Sequence, residues 1–412
     1  MLRRRDVMTV AATLAVGTPV RAFAQAGRAA AAGPILVTVF LRGGMDGLSM
    51  VAPVDDADYI AFRSPELRLL ADGDKAALRL EGGPKTGDFR LHPEMAPLKA
   101  LYESGRVALV HAAGISNGTR SHFAAQELTE RGIGEPQDGA RIKGGWVARW
   151  LESVGAARSP AFATSRGTPD SLALHPDTIA VADIRGGMNV PGGRSAARVL
   201  ERLYGGDATG PIAAAGRRTL AGIRLIDSRL RAPDGKVAPY QPANGAAYDD
   251  TEIGRGLQAV ARVIKMDLPI RAFCVDMDGW DTHENQPPRF AALAGQLARA
   301  LGAFHDDLRE RAAGVVLVAM SEFGRRLRSN RSNGTDHGHG GVMIVSAPGI
   351  RGGRIHGTWP GLASEMLDKG VDLAMTSDVR SVLAEVMAGP LRTPQAPAVV
   401  FPGFKPTRVG LA

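Results

Sequence analysis

Cysteine is nearly missing from this chain. Cys274 is the only one in 412 residues, so no disulfide can close within the chain. Its setting, IRAFCVDM, is apolar and reads as a small buried hydrophobe rather than a reactive thiol. Aromatic residues are scarce, at 5%. The basic residues are mostly arginines, scattered without a polybasic run. These shortages argue against nucleic acid as a partner, because such binding needs clustered charge and stacking rings. No internal repeat is present. Long apolar runs are also missing. The apolar stretch near the start, residues 7–20, is too short for a membrane anchor.

That stretch has another reading. Arg3, Arg4 and Arg5 form a basic head before it, and Ala22-Phe23-Ala24 closes it as a cleavage site. Residues 1–24 therefore read as a secretory signal peptide. Arg4-Arg5 with Val7-Met8 fits the twin-arginine translocation pattern, so the expected partner is that export machinery and the destination periplasmic or secreted. Losing four arginines and one aspartate takes the net charge from +8 to +5. Residues 25–33, rich in alanine and glycine, read as a mobile N-terminus, and no transmembrane anchor is expected in the mature chain.

An apolar content of 44% supports a large core. PILVTVFL (34–41), RVALVHAA (106–113), TIAVADI (178–184), IRAFCVDM (270–277), GVVLVAM (314–320) and VMIVSA (342–347) read as buried strands. Helical spacing falls between them, clearest at Phe290, Leu293, Leu297, Leu301, Phe304 and Leu308. The expected fold is α/β: a doubly wound, mostly parallel sheet with helices on both faces, forming one domain over 34–412. A helical or irregular insertion is expected at about 185–250, with helices near 195–204 and 212–231.

In such sheets ligands bind beyond the carboxyl ends of the strands. Gly43-Gly44-Met45-Asp46 follows the first strand. Thr119-Arg120-Ser121 follows the second, at the start of a helix near His122. Asp281 and His283 follow IRAFCVDM, and Ser321-Glu322 follows GVVLVAM, with Arg325 and Arg326 one turn on. SNGTDHGHGG then sets Asp336, His337 and His339 among glycines. The expected ligand set is Asp46, Asp281, His283, Glu322, Asp336, His337 and His339. Seven such groups in one cleft would repel or desolvate badly without a cation. Carboxylate plus imidazole suits zinc or manganese rather than magnesium or calcium.

The ordered motifs FLRGGMDGLSMVAP, TRSHFAAQ, GGWVARWLE, DGWDTHENQ, MSEFGRR, NGTDHGHGG and FPGF resemble the domain-of-unknown-function 1501 family of exported bacterial proteins. The resemblance covers about residues 34–410. It implies an alkaline phosphatase-like and sulfatase-like fold, one or two divalent ions, and a hydroxyl nucleophile at a helix N-terminus. Carried onto this sequence, Asp46, Asp281, His283 and one of His337 or His339 resemble metal ligands. Ser121 resembles the nucleophile, with Thr119 second. Ser321-Glu322 stands where the superfamily carries Asp-His. The implied activity is hydrolysis of a phosphate or sulfate ester on a small molecule or glycan. There Arg120 or Arg325 would hold the ester oxygens. The other reading is a non-catalytic, metal-containing binding protein of the cell envelope.

Overall fold

In the computed structural model, the structure describes residues 33–156, 159–165, 167–188, 190, 192–205 and 208–412. The expected signal peptide, and the 25–33 segment up to residue 32, lie outside the described residues. The strands are β1 Ile35–Leu41, β2 Val51–Pro53, β3 Leu78–Arg79, β4 Phe89–Leu91, β5 Val107–Gly114 and β6 Ala161–Thr164. They continue with β7 Thr178–Ala180, β8 Ala272–Met277, β9 Val315–Met320, β10 Gly341–Ser346, β11 Ile355–His356 and β12 Ser377–Asp378. Nine of them form one sheet in the order β11-β5-β10-β9-β1-β8-β6-β7, with β12 also on β5. β2, β4 and β3 form a small antiparallel sheet that the sequence patterns do not announce.

The helices that matter below are α1 Gly47–Met50, α2 His122–Arg131, α3 Gly193–Tyr204, α4 Pro211–Leu230, α5 Glu252–Ile264, α6 Gln286–Asp307 and α7 Val379–Ala388. β1 shows why helices cover both faces. Its side chains alternate. Val37, Val39 and Leu41 join one core with Leu257 and Val260 of α5 and Leu297 and Leu301 of α6. Leu36 and Phe40 join the other with Leu128 of α2 and Val382 and Val386 of α7. A strand apolar at all but Thr38, which is itself buried, has no face left for water, so it lies in the sheet interior. Among the described residues, no helix is long and apolar enough to cross a membrane.

The sheet is mostly parallel, as expected, with one strand reversed. β10 runs antiparallel to both β9 and β5, while β1 is parallel to β8 and β9. Gly341, the first residue of β10, pairs with Ala113 near the end of β5. The 321–340 segment therefore leaves β9 and returns at the same rim. The GHGG loop precedes a reversed strand rather than following a parallel one. β6 is a further difference. AFAT is only four residues long and contains two alanines, too little apolar pattern to read as a strand, yet it pairs with both β8 and β7.

One buried side chain makes the fold pH-sensitive. His111 on β5 is 2% exposed and lies edge-on against Trp359, with ring centroids 4.8 Å apart. Nε2 donates to the Val51 carbonyl at 2.8 Å, and Nδ1 accepts from the Ala112 N–H at 2.9 Å. Both nitrogens are used by the neutral ring, and burial holds the pKa down to about 4. The unfolded ring takes a proton near pH 6.5 while the folded one refuses it. The stabilisation is thus complete above about pH 6.5 and lost as pH falls toward 4. It amounts to about 3 kcal/mol. Urea titrations between pH 7 and 4 are expected to show a shallower loss of stability in His111→Gln than in the unaltered protein.

Candidate metal centre

Four loops meet at the rim where β1, β5, β8 and β9 end and β10 begins. Two close backbone approaches hold them together. Gly43 has φ +117°, and a Cβ there would fall 2.4 Å from the Asp281 nitrogen. This lets the turn after β1 lie against the turn after β8. Within 321–340, Gly324 N–H donates to the His339 carbonyl and Gly338 N–H to the Gly324 carbonyl, both at 2.9 Å. A Cβ on Gly324 would come within 2.0 Å of the Gly340 oxygen. The glycines around the histidines exist so that two stretches of one loop can pair.

Asp281 is the centre of the resulting cluster. Its Oδ1 lies 3.4 Å from His122 Nε2, 3.1 Å from His283 Nε2 and 3.3 Å from His337 Nε2. His283 Nε2 and His337 Nε2 are 2.8 Å apart. The opposite nitrogen of each ring is pinned by an acceptor. His122 Nδ1 donates to Glu322 Oε1 at 2.8 Å, His283 Nδ1 to Asp336 Oδ1 at 3.2 Å, and His337 Nδ1 to the Arg120 carbonyl at 2.8 Å. A neutral imidazole carries one N–H. With that N–H placed outward, all three rings turn an Nε2 lone pair toward one carboxylate oxygen. Lone pairs converging on an anion repel unless a cation sits among them. His122 Nε2 is also buried without a hydrogen-bond partner among the described residues.

These residues fit a divalent cation. His122, Asp281 and His337 already bring one donor atom each within 4.8 Å of one another, and His283 stands against two of them. Three imidazoles and one carboxylate are a zinc-type donor set, and the outward hydrogen bonds are the orienting kind that metal-bound histidines make. Asp281 and His283 side chains are 49% and 41% exposed, so water or a substrate can reach the centre.

The surrounding charges suit this role. Partial burial pushes the Asp281 carboxyl up, but the Arg325 guanidinium and nearby imidazoles outweigh it and hold it down at about 2. The hydrogen bond that His122 donates to Glu322 raises the His122 pKa, and desolvation lowers that of His337. Burial pushes Glu322 up, yet its bonds from His122, Gln126 and the Gly43 N–H bring it below the usual range.

Several residues named from the sequence stand elsewhere than at the cluster. Asp46 is 1% exposed and caps α1 through the Leu48 and Ser49 N–H groups at 3.1 and 3.3 Å. Its Oδ2 takes the Ser49 hydroxyl, the Gln286 amide and the Arg63 guanidinium. Its oxygens are thus filled by donors, and it serves a buried ion pair. Glu322 is 0% exposed and lies behind His122 as its support. Asp336 supports His283 in the same way. His339 faces away, donating from Nε2 to the Ile115 carbonyl at 2.8 Å, with Nδ1 3.3 Å from Asp368.

Arg325 is buried and divides its guanidinium among the Gly43, Gly44 and Thr335 carbonyls and Asp281. Arg120 pairs with Asp368 and Asp372. Ser121 is exposed at the start of α2 and makes no side-chain capping bond, while Thr119 Oγ1 accepts from its N–H at 3.3 Å. His122 was not picked out as a ligand from the sequence. The signal was present in TRSHFAAQ, where it follows Ser121 on the first turn of α2.

His122→Ala and His337→Ala are each expected to lose bound zinc, read by elemental analysis and by loss of the zinc-dependent rise in melting temperature. His339→Ala is expected to retain it. Arg63→Met should behave differently. It strands the Asp46 charge in a fully buried place, which costs about 3–5 kcal/mol. Denaturant melts should show that loss with or without metal.

No curated protein matches the chain. Among solved structures, it is similar to the C-terminal periplasmic domain of EcEptC from Escherichia coli in complex with zinc, at 8% identity. That match covers 77% of this chain and 74% of the other, with a TM-score of 0.36. It is similar to the PsFucS1 sulfatase from Pseudoalteromonas sp. at 10% identity, covering 86% and 68%, with a TM-score of 0.34. It is also similar to the lipoteichoic acid synthase LtaP from Listeria monocytogenes at 10% identity, covering 90% and 79%, with a TM-score of 0.33. Residues 253–396, which hold Asp281, His283 and the whole 321–340 loop, match the family described as "Protein of unknown function (DUF1501)".

Proposed function

We propose that this chain is an exported, metal-dependent hydrolase of phosphate or sulfate esters on small molecules or glycans. The carrying observation is the convergence of three imidazole Nε2 atoms on Asp281 Oδ1. A divalent cation bound there, zinc or manganese, would neutralise ester oxygens and acidify a bound water or hydroxyl. His122, Asp281, His283 and His337 would hold it. Glu322, Asp336 and the Arg120 carbonyl fix the rings that do so.

Ser121 is the proposed nucleophile. Ser121 is exposed and adjacent to His122, and its hydroxyl makes no capping bond among the described residues. The first-turn N–H groups of α2 lack acceptors within the helix and favour a negatively charged group. Thr119 is the second choice. Arg120 and Arg325, expected to grip the ester, have their guanidiniums committed to carboxylates and carbonyls. That commitment favours a second reading, a metal-containing envelope protein that binds without turnover. Delivery outside the inner membrane rests on the Arg4-Arg5 pattern and the twin-arginine route.

The test is a panel of phosphate and sulfate monoesters offered to the zinc- and manganese-loaded protein. On the hydrolase reading, turnover needs metal, vanishes in His337→Ala, and falls by about 10³ or more in Ser121→Ala with metal content kept. Full metal occupancy with no turnover across the panel would instead establish the binding reading.

A further inference from the structure

One surface carries chemistry that the metal centre does not use. In the sequence, residues 192–231 hold eight arginines, no lysine and three acids, a net +5. That equals the net charge of everything from residue 25 onward. Part of it is already committed to partners within the fold. Arg218 is buried against Asp177, Arg231 pairs with Asp227, and Arg224 with Glu201. Arg217 donates to the Ala208 and Tyr204 carbonyls. Arg198 and Arg202, one turn apart on α3, are exposed and have no ion-pair partner among the described residues.

Beside this arginine stripe runs an apolar one. Val199 and Leu203 are 55% and 60% exposed, and Ile212 at the start of α4 is 56% exposed. The packing explains why they face outward. Tyr204 is buried against Gly216, where a Cβ would come within 2.2 Å of the ring. That contact turns the inner side of α3 onto α4 and leaves positions 199 and 203 without cover. Apolar side chains flanked by arginines, on a helix with one free face, suit the boundary between lipid headgroups and acyl chains.

We propose that the α3–α4 hairpin docks the protein on a lipid surface bearing anionic headgroups. Val199, Leu203 and Ile212 enter the headgroup boundary, and Arg198 and Arg202 meet the phosphates. A second copy of the chain suits this face poorly, because a twofold contact would set the arginine stripes against each other. An anionic polysaccharide would leave the apolar stripe unused. The inference stands independently of the proposed hydrolase activity.

Flotation of the full protein with vesicles of phosphatidylcholine, with and without phosphatidylglycerol, tests it. Binding is expected only with phosphatidylglycerol and should weaken as salt rises. Arg198→Glu with Arg202→Glu should lose at least about 25-fold in affinity, near fivefold for each arginine. Val199→Ser with Leu203→Ser should abolish flotation. Both variants should keep the melting temperature and zinc content of the parent. All three proteins share residues 1–32, so any contribution from that segment cancels. Equal binding to both vesicle types, or anionic-vesicle binding kept by both variants, overturns the proposal. So does a concentration-dependent dimer that the Val199→Ser, Leu203→Ser variant dissolves, which would assign the patch to a second copy.

Discussion

One oxygen atom organises this molecule's working end. Asp281 Oδ1 draws the Arg325 guanidinium from below and three imidazole nitrogens from around it. None of these groups is free to back away. Arg325 is tied to three carbonyls, and each ring is tied through its far nitrogen to an acceptor of its own. The rim loops, the glycine-lined turns and the reversed strand make sense as the means of keeping these supports in place. Electrostatic stress concentrated at one point is tolerable only where the backbone around it cannot relax, and here the backbone is paired to itself at Gly324, Gly338 and Gly43.

The layout of the sheet was legible because its strands are apolar at nearly every position. β1, β5, β8, β9 and β10 all fall within a residue or two of the runs that announce them. The rim followed from that, since residues just past parallel strands share an edge. Asp281, His283 and His337 could therefore be named together across more than fifty residues of chain. The direction of β10 was not legible. An apolar run looks the same read in either sense, and only its partners fix which way it runs.

The roles within the site were harder to read than its membership. Asp46 and Glu322 have the residue type and position of ligands, but each meets a partner that no local pattern displays. Arg63 lies 17 residues beyond Asp46, and His122 lies 200 residues before Glu322. A carboxylate that binds a metal and one that braces a neighbour are the same letter in a sequence. His122, at the start of α2, joins the cluster through Asp281 and Glu322, although it lies on a helix far from both in sequence.

The reversed β10 also has a bearing on how the centre comes into being. Asp281, His283, Asp336 and His337 all lie in the last third of the chain, and His337 reaches its place through a loop paired with itself. His122 belongs to the first third and arrives only when β5 takes its seat beside β10. Such non-local pairing comes at the cost of closing a long stretch of chain. Until that pairing forms, the chain offers an incomplete donor set, and the full set requires the two halves of the chain to have met. On the proposed metal reading, capture of an ion would report that these two parts of the chain have come together.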